Sequence, residues 1–116
     1  MRPGDVLLTS LPQADGRAKD RPVLCLCTVP PFHDFLVCGI TTQTTARVED
    51  LDEMIAEHDE DFRTSGLKSV SLVRTAFLAL LPQSRFKGRI GLISPRRHKR
   101  LLTSLAQFLT AAPTQP

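Results

Sequence analysis

Three short segments place polar, chemistry-bearing side chains at the ends of apolar runs that are typical of strands. Arg21 stands just before the run PVLCLC, and Thr41 lies in the segment GITTQ, which ends a second apolar run. The segment PGD at residues 3–5 precedes a third run. A guanidinium forks onto phosphate oxygens, and hydroxyl and amide groups hydrogen-bond to them. The sequence therefore predicts a site that handles phosphate.

The charged residues are unevenly distributed along the chain. Residues 49–61 carry eight acids and no Lys or Arg, so the rest of the chain has 15 basic residues against four acids, a net charge of +11. Such a surface suits a polyanion, which would bind largely through counterion release. It could equally keep a small domain in solution. The eight acids are Glu49, Asp50, Asp52, Glu53, Glu57, Asp59, Glu60 and Asp61.

Length and composition predict one small domain in a reducing compartment. The 116 residues suffice for a single modest core, so we expect one domain over 1–116 with a disordered tail at 111–116. The N-terminus does not resemble a signal peptide, and no apolar run reaches the roughly 20 residues of a membrane helix. We expect a cytoplasmic protein that does not bind membranes.

Short apolar runs separated by turn-forming residues predict a mainly β fold. Their brief connections favour a small, strongly bent antiparallel sheet or barrel over a parallel α/β architecture. The predicted strands lie near 5–10, 22–29, 34–40, 69–74, 76–81 and 89–93.

Two helices are predicted beside this sheet. A short inserted helix over Val48–His58 would carry the acids on one side, either as a solvated cap on one end of the barrel or as a shield for a basic groove. A C-terminal helix would begin with Ser94 as N-cap and Pro95 in its first turn and run to about Ala111. Its apolar face would pack on the sheet through Leu101, Leu102, Leu105, Phe108 and Leu109.

The polar segment between Pro12 and Pro22 is predicted to form a basic hairpin. Arg17, Lys19 and Arg21 lie within five residues of one another there. They could clamp a nucleic-acid backbone, or they could belong to an ordinary solvated loop.

Other residues with chemical potential give weaker signals. Phe32 or Phe35 could stack an unpaired base, although such residues are more often core, and the other four Phe are interpreted as packing residues. The Cys and His residues lack zinc-ligand spacing, so no metal or cofactor is predicted, and the cysteines are interpreted as small buried hydrophobic residues. They are Cys25, Cys27, Cys38, His33, His58 and His98.

Taken together, the motifs resemble the PemK/MazF family of bacterial toxins from type II toxin–antitoxin systems. The resemblance rests on PGDVLL, DGRAK, RPVLCL, CGITTQ, SGLKSVSLVR and KGRIGLIS, which occur in the family's order over nearly the whole chain. It implies a Src-homology-3-like, MazF/CcdB-type barrel that forms a homodimer. It also implies a metal-independent endoribonuclease that cuts single-stranded RNA and leaves a cyclic phosphate and a 5′-hydroxyl.

The resemblance assigns roles to individual residues. Arg21 and Thr41 match the family's essential Arg and Thr, and Arg74 matches a further Arg of some branches, so these three are the predicted catalytic residues. The predicted substrate-binding residues are Arg17, Lys19, Thr42 and Gln43.

One departure from the family affects proton transfer. In one branch an Asp follows two residues after the Arg that matches Arg74, whereas this chain has Ala76. An arginine is a poor proton acceptor because it stays protonated. Asp15, Asp20 and His33 are the candidates for a substitute base.

The resemblance also implies partners and leaves three functions open. An antitoxin would insert an acidic, disordered tail into the basic groove, and the complex could reach operator DNA through the antitoxin. The first function is a sequence-selective ribonuclease toxin. The second is a non-catalytic, CcdB-like poison of a protein target, and the third is a degenerate member that only binds RNA or a partner.

Overall fold

The computed structural model describes residues 1–12 and 15–111. In these residues the chain forms six strands, two α-helices and single 3₁₀ turns at Thr44–Ala46 and Gln83–Arg85. The elements are β1 (Asp5–Pro12), β2 (Ala18–Val29), β3 (Asp34–Thr41), β4 (Glu53–Ile55), α1 (Phe62–Ser65), β5 (Ser71–Leu81), β6 (Phe86–Leu92) and α2 (Pro95–Ala111). The strands make one antiparallel sheet in the order β4-β5-β3-β2-β1-β6, so the predicted mainly β fold is confirmed.

A contact between β3 and β6 shows how strongly this sheet is curled. The rings of Phe35 on β3 and Phe86 on β6 have centroids 5.6 Å apart, although β2 and β1 lie between these strands. In a flat sheet three inter-strand spacings would separate β3 from β6 by about 14 Å. The sheet must therefore bend until the two rings meet, as the predicted strongly bent architecture requires.

Both faces of the curled sheet bury apolar side chains. The face covered by α2 packs against Leu101 and Leu105 of that helix and is called the α2 face. The opposite face is called the Phe86 face. Its buried cluster consists of Leu7, Val23, Cys25, Phe35, Val37 and Phe86.

The C-terminal helix begins where the sequence predicts. Pro95 is the first residue of α2, and the Arg97 backbone N–H donates to the Ser94 hydroxyl oxygen at 3.1 Å, which caps the helix. The predicted apolar face is only partly correct, because Leu101 and Leu105 are buried whereas three others are exposed. The exposed residues are Leu102, Phe108 and Leu109. The part of the predicted tail at 112–116 lies outside the described residues.

Neither helix in the described part of the chain is both long and apolar enough to cross a membrane.

The prediction of a helix over Val48–His58 is wrong. Glu53–Ile55 forms β4 and pairs with β5, and the short inserted helix is α1, farther along the chain. The local apolar spacing fits a helix, but Asp52 is buried and accepts backbone N–H groups from Val48 at 3.0 Å and Thr75 at 3.2 Å. Because these contacts turn the acid inward, the segment is not a solvated amphipathic helix.

A buried ion-pair cluster joins the acidic segment to α2. Arg97 donates from Nε and Nη2 to the two carboxylate oxygens of Asp61 at 2.8 and 2.9 Å, and from Nη1 to Glu53 at 3.0 Å. The Asp59 carboxylate is 3.3 Å from Nη2. Burial alone would raise the pKa of Asp61, but hydrogen bonds from Arg97 and the Ser94 amide, together with the Arg97 charge, outweigh it and lower that pKa.

Gly66 ends α1 in the left-handed region, with φ of 75°, directly against the backbone of β6. A Cβ at this position would clash with the Ile90 carbonyl. We therefore expect Gly66→Ala to lower the free energy of unfolding by about 3 kcal/mol, since left-handed strain and overpacking add. Gly16 is the matched control, because its φ is 83° and no atom lies within 4 Å of the place that a Cβ would take there. Denaturant unfolding should show a loss of only about 1 kcal/mol for Gly16→Ala, and equal losses would contradict the packing argument.

Candidate functional site

Arg21 and Thr41 lie at the same end of the ladder between β2 and β3. The last pair of this ladder is Val23 with Gly39, and Arg21 and Thr41 each lie two residues beyond it. On its other side Arg21 pairs with Thr9 of β1. Because alternate residues of a strand share a face, Arg21 and Thr41 lie on the same face as Val23, the Phe86 face. Two half-buried residues, an arginine and a threonine, thus lie on one face at the same end of these two strands.

A local hydrogen bond fixes the orientation of the Thr41 hydroxyl. Its Oγ1 accepts the backbone N–H of Gln43 at 3.1 Å. A hydroxyl has one hydrogen and two lone pairs, so the Thr41 hydrogen remains able to donate to a phosphoryl oxygen. Thr42 and Gln43 are exposed immediately after the strand, where side chains can reach a bound ligand.

Arg74 reaches the same face through an irregularity in β5. Cys38 pairs with Leu78, but the next residue of β3, Gly39, pairs with Arg74, so the three residues 75–77 form a bulge in β5. The two predicted strands at 69–74 and 76–81 are therefore one bulged strand. Since Gly39 shares a face with Thr41, its partner Arg74 lies on the face that carries Arg21.

The bulge directs the Phe77 ring over the backbone of Gly39. A Cβ on Gly39 would lie 3.0 Å from Cδ1 and 3.4 Å from Cγ of this ring, and the Arg74 guanidinium carbon is 5.7 Å from the ring centroid. That distance allows a cation–π contact. Phe77 is nevertheless 53% exposed, so the prediction that it is a packing residue is wrong.

Buried polar contacts hold the bulge in place from behind. The Thr75 side chain is fully buried, and its hydroxyl donates to the Leu51 carbonyl at 2.9 Å. Its backbone N–H donates to Asp52. Leu51 and Asp52 of the acidic segment thus hold the bulge that carries Phe77 and follows Arg74. In the sequence, the break in the apolar pattern at Thr75-Ala76 is the only sign of this bulge.

Of the three basic residues predicted in the hairpin, Arg17 and Lys19 are exposed and Arg21 is half-buried. The hairpin continues β1 into β2 with Pro12 paired to Ala18, so Lys19 is a strand residue that alternates onto the face of Arg21. Arg17 stays in the turn, where its N–H donates to the Asp15 carboxylate at 2.9 Å. Residues 13 and 14 of the predicted loop lie outside the described residues.

Of the three candidate bases, Asp20 and His33 are not brought to Thr41. Asp20 is adjacent to Arg21 in β2 and so points to the opposite face, where it forms an ion pair of 2.8 Å with Lys87. His33 precedes β3, and the eight residues of this strand separate it from Thr41. Asp15 is engaged in the hairpin turn.

The cysteines are placed as expected of small hydrophobic residues. Cys25 and Cys38 are buried, and burial is the main cause that raises the pKa of each thiol to about 12. Cys27 is half-buried. Over residues 1–12 and 15–111, no group of three or more His, Cys, Asp or Glu side chains is arranged to hold a metal ion.

The loop aromatics do not meet the site. Phe35 is in the core, as the more frequent alternative predicted. Phe32 is 80% exposed, but it precedes β3 and lies at the end of that strand opposite to Thr41.

Comparisons with known proteins find a matching family model and solved structures of similar fold. A family model described as PemK-like, MazF-like toxin of type II toxin-antitoxin system matches residues 2–109. The structure of Mycobacterium tuberculosis toxin MazF-mt6 is 20% identical with a TM-score of 0.67, and the match covers 91% of this chain and 96% of that one. An endoribonuclease in complex with its cognate antitoxin, from a mycobacterial species, is 16% identical with a TM-score of 0.65, over 97% and 98% of the two chains. No curated protein sequence matches significantly. At such identities the two structures show a shared fold.

Proposed function

Since this chain belongs to the PemK/MazF-like toxins of type II toxin–antitoxin systems, we propose that it is a sequence-selective endoribonuclease that cleaves single-stranded RNA without a metal ion. The observation that carries the proposal is that Arg21 and Thr41 share a face and each lie two residues beyond the last β2–β3 pair, Val23 with Gly39. Negative charge builds on the phosphoryl oxygens in the transition state of phosphodiester cleavage. The paired N–H donors of a guanidinium and an oriented hydroxyl are groups that stabilise such charge.

The proposed reaction is attack of a ribose 2′-oxygen on its own phosphate, which yields a cyclic phosphate and a 5′-hydroxyl. Arg21 and the Thr41 hydroxyl stabilise the charge that builds on the phosphoryl oxygens, and Arg74 adds a second guanidinium on the same face. Arg17, Lys19, Thr42 and Gln43 hold the flanking chain. Arg17 and Lys19 contact its backbone through charge, whereas Thr42 and Gln43 offer neutral hydrogen-bonding groups.

Product mapping tests this proposal directly. Purified protein is incubated with a long mixed-sequence RNA in excess chelator, beside Arg21→Ala and Thr41→Ala variants. Cuts at a recurring short sequence with 5′-hydroxyl ends, absent from both variants, are expected. Intact RNA from folded wild-type protein, freed of antitoxin, would overturn the proposal in favour of a protein-target poison or a binding-only member.

The 2′-proton is proposed to pass to solvent, which also supplies the proton of the leaving 5′-oxygen, because a guanidinium is a poor proton acceptor and Asp20 is paired on the opposite face. The cleavage rate at saturating RNA should then rise about tenfold per pH unit between about pH 6 and 8. Initial rates in chelator at constant ionic strength give this profile. A plateau with a midpoint near 6.5 would instead indicate a histidine base.

The proposed partners are a cognate antitoxin and a second copy of this chain. The basic face around Arg21 suits an acidic antitoxin tail, and operator DNA would be reached only through the antitoxin. A homodimer is supported by exposed apolar side chains on the α2 face and on α2 itself. They are Leu78, Leu80, Leu102, Phe108 and Leu109.

A further inference from the structure

Phe77 is the exposed aromatic side chain that the fold brings beside Arg74 on the Phe86 face. Its ring lies against the backbone of Gly39, and a residue with a Cβ would be in tight contact with it at 3.0 Å. Thr75, buried and bonded to Leu51 and Asp52, fixes the bulge that carries it. The ring is thus held in one place although 53% of the residue is exposed.

The position of this ring relative to Thr41 sets what it can contact. Gly39 and Thr41 are two residues apart on one face of β3, a separation of about 7 Å. A nucleotide whose phosphate meets Thr41 can extend its base over that distance. Arg74 flanks the ring and would meet the sugar–phosphate backbone next to the stacked base.

We infer that Phe77 stacks the unpaired base of a nucleotide adjoining the phosphate held by Arg21 and Thr41, and so contributes to RNA binding and to the choice of cut site. This inference rests on the proposed function and adds a residue to it. Stacking on an aromatic ring accepts every base, and the bases that stack best are preferred.

The first test separates binding from chemistry by substitution at Phe77. Phe77→Leu keeps an apolar side chain but removes the π face, and it should raise KM for a single-stranded RNA by about tenfold with a much smaller change in kcat. Phe32→Leu is the matched control and should leave KM unchanged, since Phe32 is 80% exposed but lies at the end of β3 opposite to Thr41. Equal KM values for Phe77→Leu and wild type would overturn the inference.

A second test reports the contact itself. The chain has no Trp or Tyr, so Phe77→Trp introduces a single indole emitter. Titration with a mixed-sequence, single-stranded 2′-O-methyl RNA, which lacks the attacking hydroxyl, should quench its fluorescence with the same Kd that anisotropy of a labelled oligonucleotide gives. Binding seen by anisotropy without quenching would overturn the inference.

The two tests also distinguish this inference from the proposed function. If wild-type protein cuts no RNA but the indole is quenched on saturation, stacking holds and the ribonuclease proposal fails. If RNA is cut and Phe77→Leu behaves as wild type, the ribonuclease proposal holds and stacking fails. Gly39→Ala must move the Phe77 ring by a few tenths of an ångström. Its KM should therefore lie between those of wild type and Phe77→Leu.

Discussion

Arg21→Ala should lower the rate of RNA cleavage at saturating RNA by about a thousandfold, in line with the loss of preorganised donors at a developing charge. Arg21 lies within the ladder of β1 and β2 and is half-buried, so its guanidinium is positioned before substrate binds. Arg21→Lys keeps the positive charge but loses the planar guanidinium, so its cleavage rate should lie between those of wild type and Arg21→Ala. Initial rates with a defined RNA in chelator measure this effect.

The control for that prediction removes an equal charge elsewhere. Arg96 is exposed on α2, which covers the opposite face of the sheet, so Arg96→Ala should change the rate by less than about twofold at physiological salt. Thermal unfolding of each variant shows that the fold is retained. If Arg96→Ala lost as much activity as Arg21→Ala, general attraction for RNA rather than a local role of Arg21 would account for both losses.

Local signals explain which elements could be predicted from the sequence. The start of α2 depends on Ser94 and Pro95, which are adjacent in the chain, and the strands depend on short apolar runs. The segment around Asp52 could not be predicted in this way. Its apolar spacing fits a helix, but Asp52 and Asp61 are buried by Thr75 and Arg97, which lie 23 and 36 residues away. Distant contacts of this kind override local preference.

In the candidate site, too, residues in local motifs could be predicted and residues that depend on distant contacts could not. Arg21 and Thr41 were predicted through motifs, and the structure places both on the Phe86 face. Phe77 could not be predicted, because its exposure depends on a bulge that makes one strand out of two apparent ones. The bulge depends on the contacts of Thr75 with Leu51 and Asp52, which are distant in the sequence. No local sequence pattern predicts these contacts.

The acidic segment therefore has a structural function on the side of the sheet away from the proposed RNA face. Asp52 holds the bulge that presents Arg74, and Asp61 binds both Arg97 and the backbone N–H of Ser94, which caps α2. Glu53 and Asp61 contribute little repulsion at the basic face, because Arg97 and Arg100 pair with these two carboxylates at 2.8–3.0 Å. This arrangement lets an acid-rich segment coexist with a polyanion site.

Arg97→Met should reduce the free energy of unfolding by about 3–5 kcal/mol, because it leaves buried carboxylates without their cation. Arg97 is 6% exposed and Asp61 is 3% exposed, so water cannot replace the lost bonds without opening the structure. Arg97→Met combined with Asp61→Asn should recover part of the loss, since the amide oxygen can still accept the Ser94 N–H. Denaturant unfolding of wild type and both variants at one fixed protein concentration measures these differences.

Arg100→Ala is the control for this prediction. Arg100 binds the same Glu53 at 2.9 Å, but its side chain is 50% exposed, so its removal should cost at most about 1 kcal/mol. Similar losses for Arg97→Met and Arg100→Ala would show that burial does not decide the strength of this cluster.

The pH dependence of stability gives an independent measure of the same cluster. The folded-state pKa of Asp61 is below its ordinary value of 3.8, so the unfolded chain binds more protons at this group in acid. The contribution of the ionised Asp61 carboxylate to the free energy of unfolding is complete above about pH 4. It is lost as the pH falls through the lower, folded-state pKa of this group. Wild-type stability should therefore drop in this range, and the drop should be smaller in Asp61→Asn, which has no carboxyl to titrate. Parallel pH profiles for the two proteins would mean that other carboxylates carry the acid sensitivity.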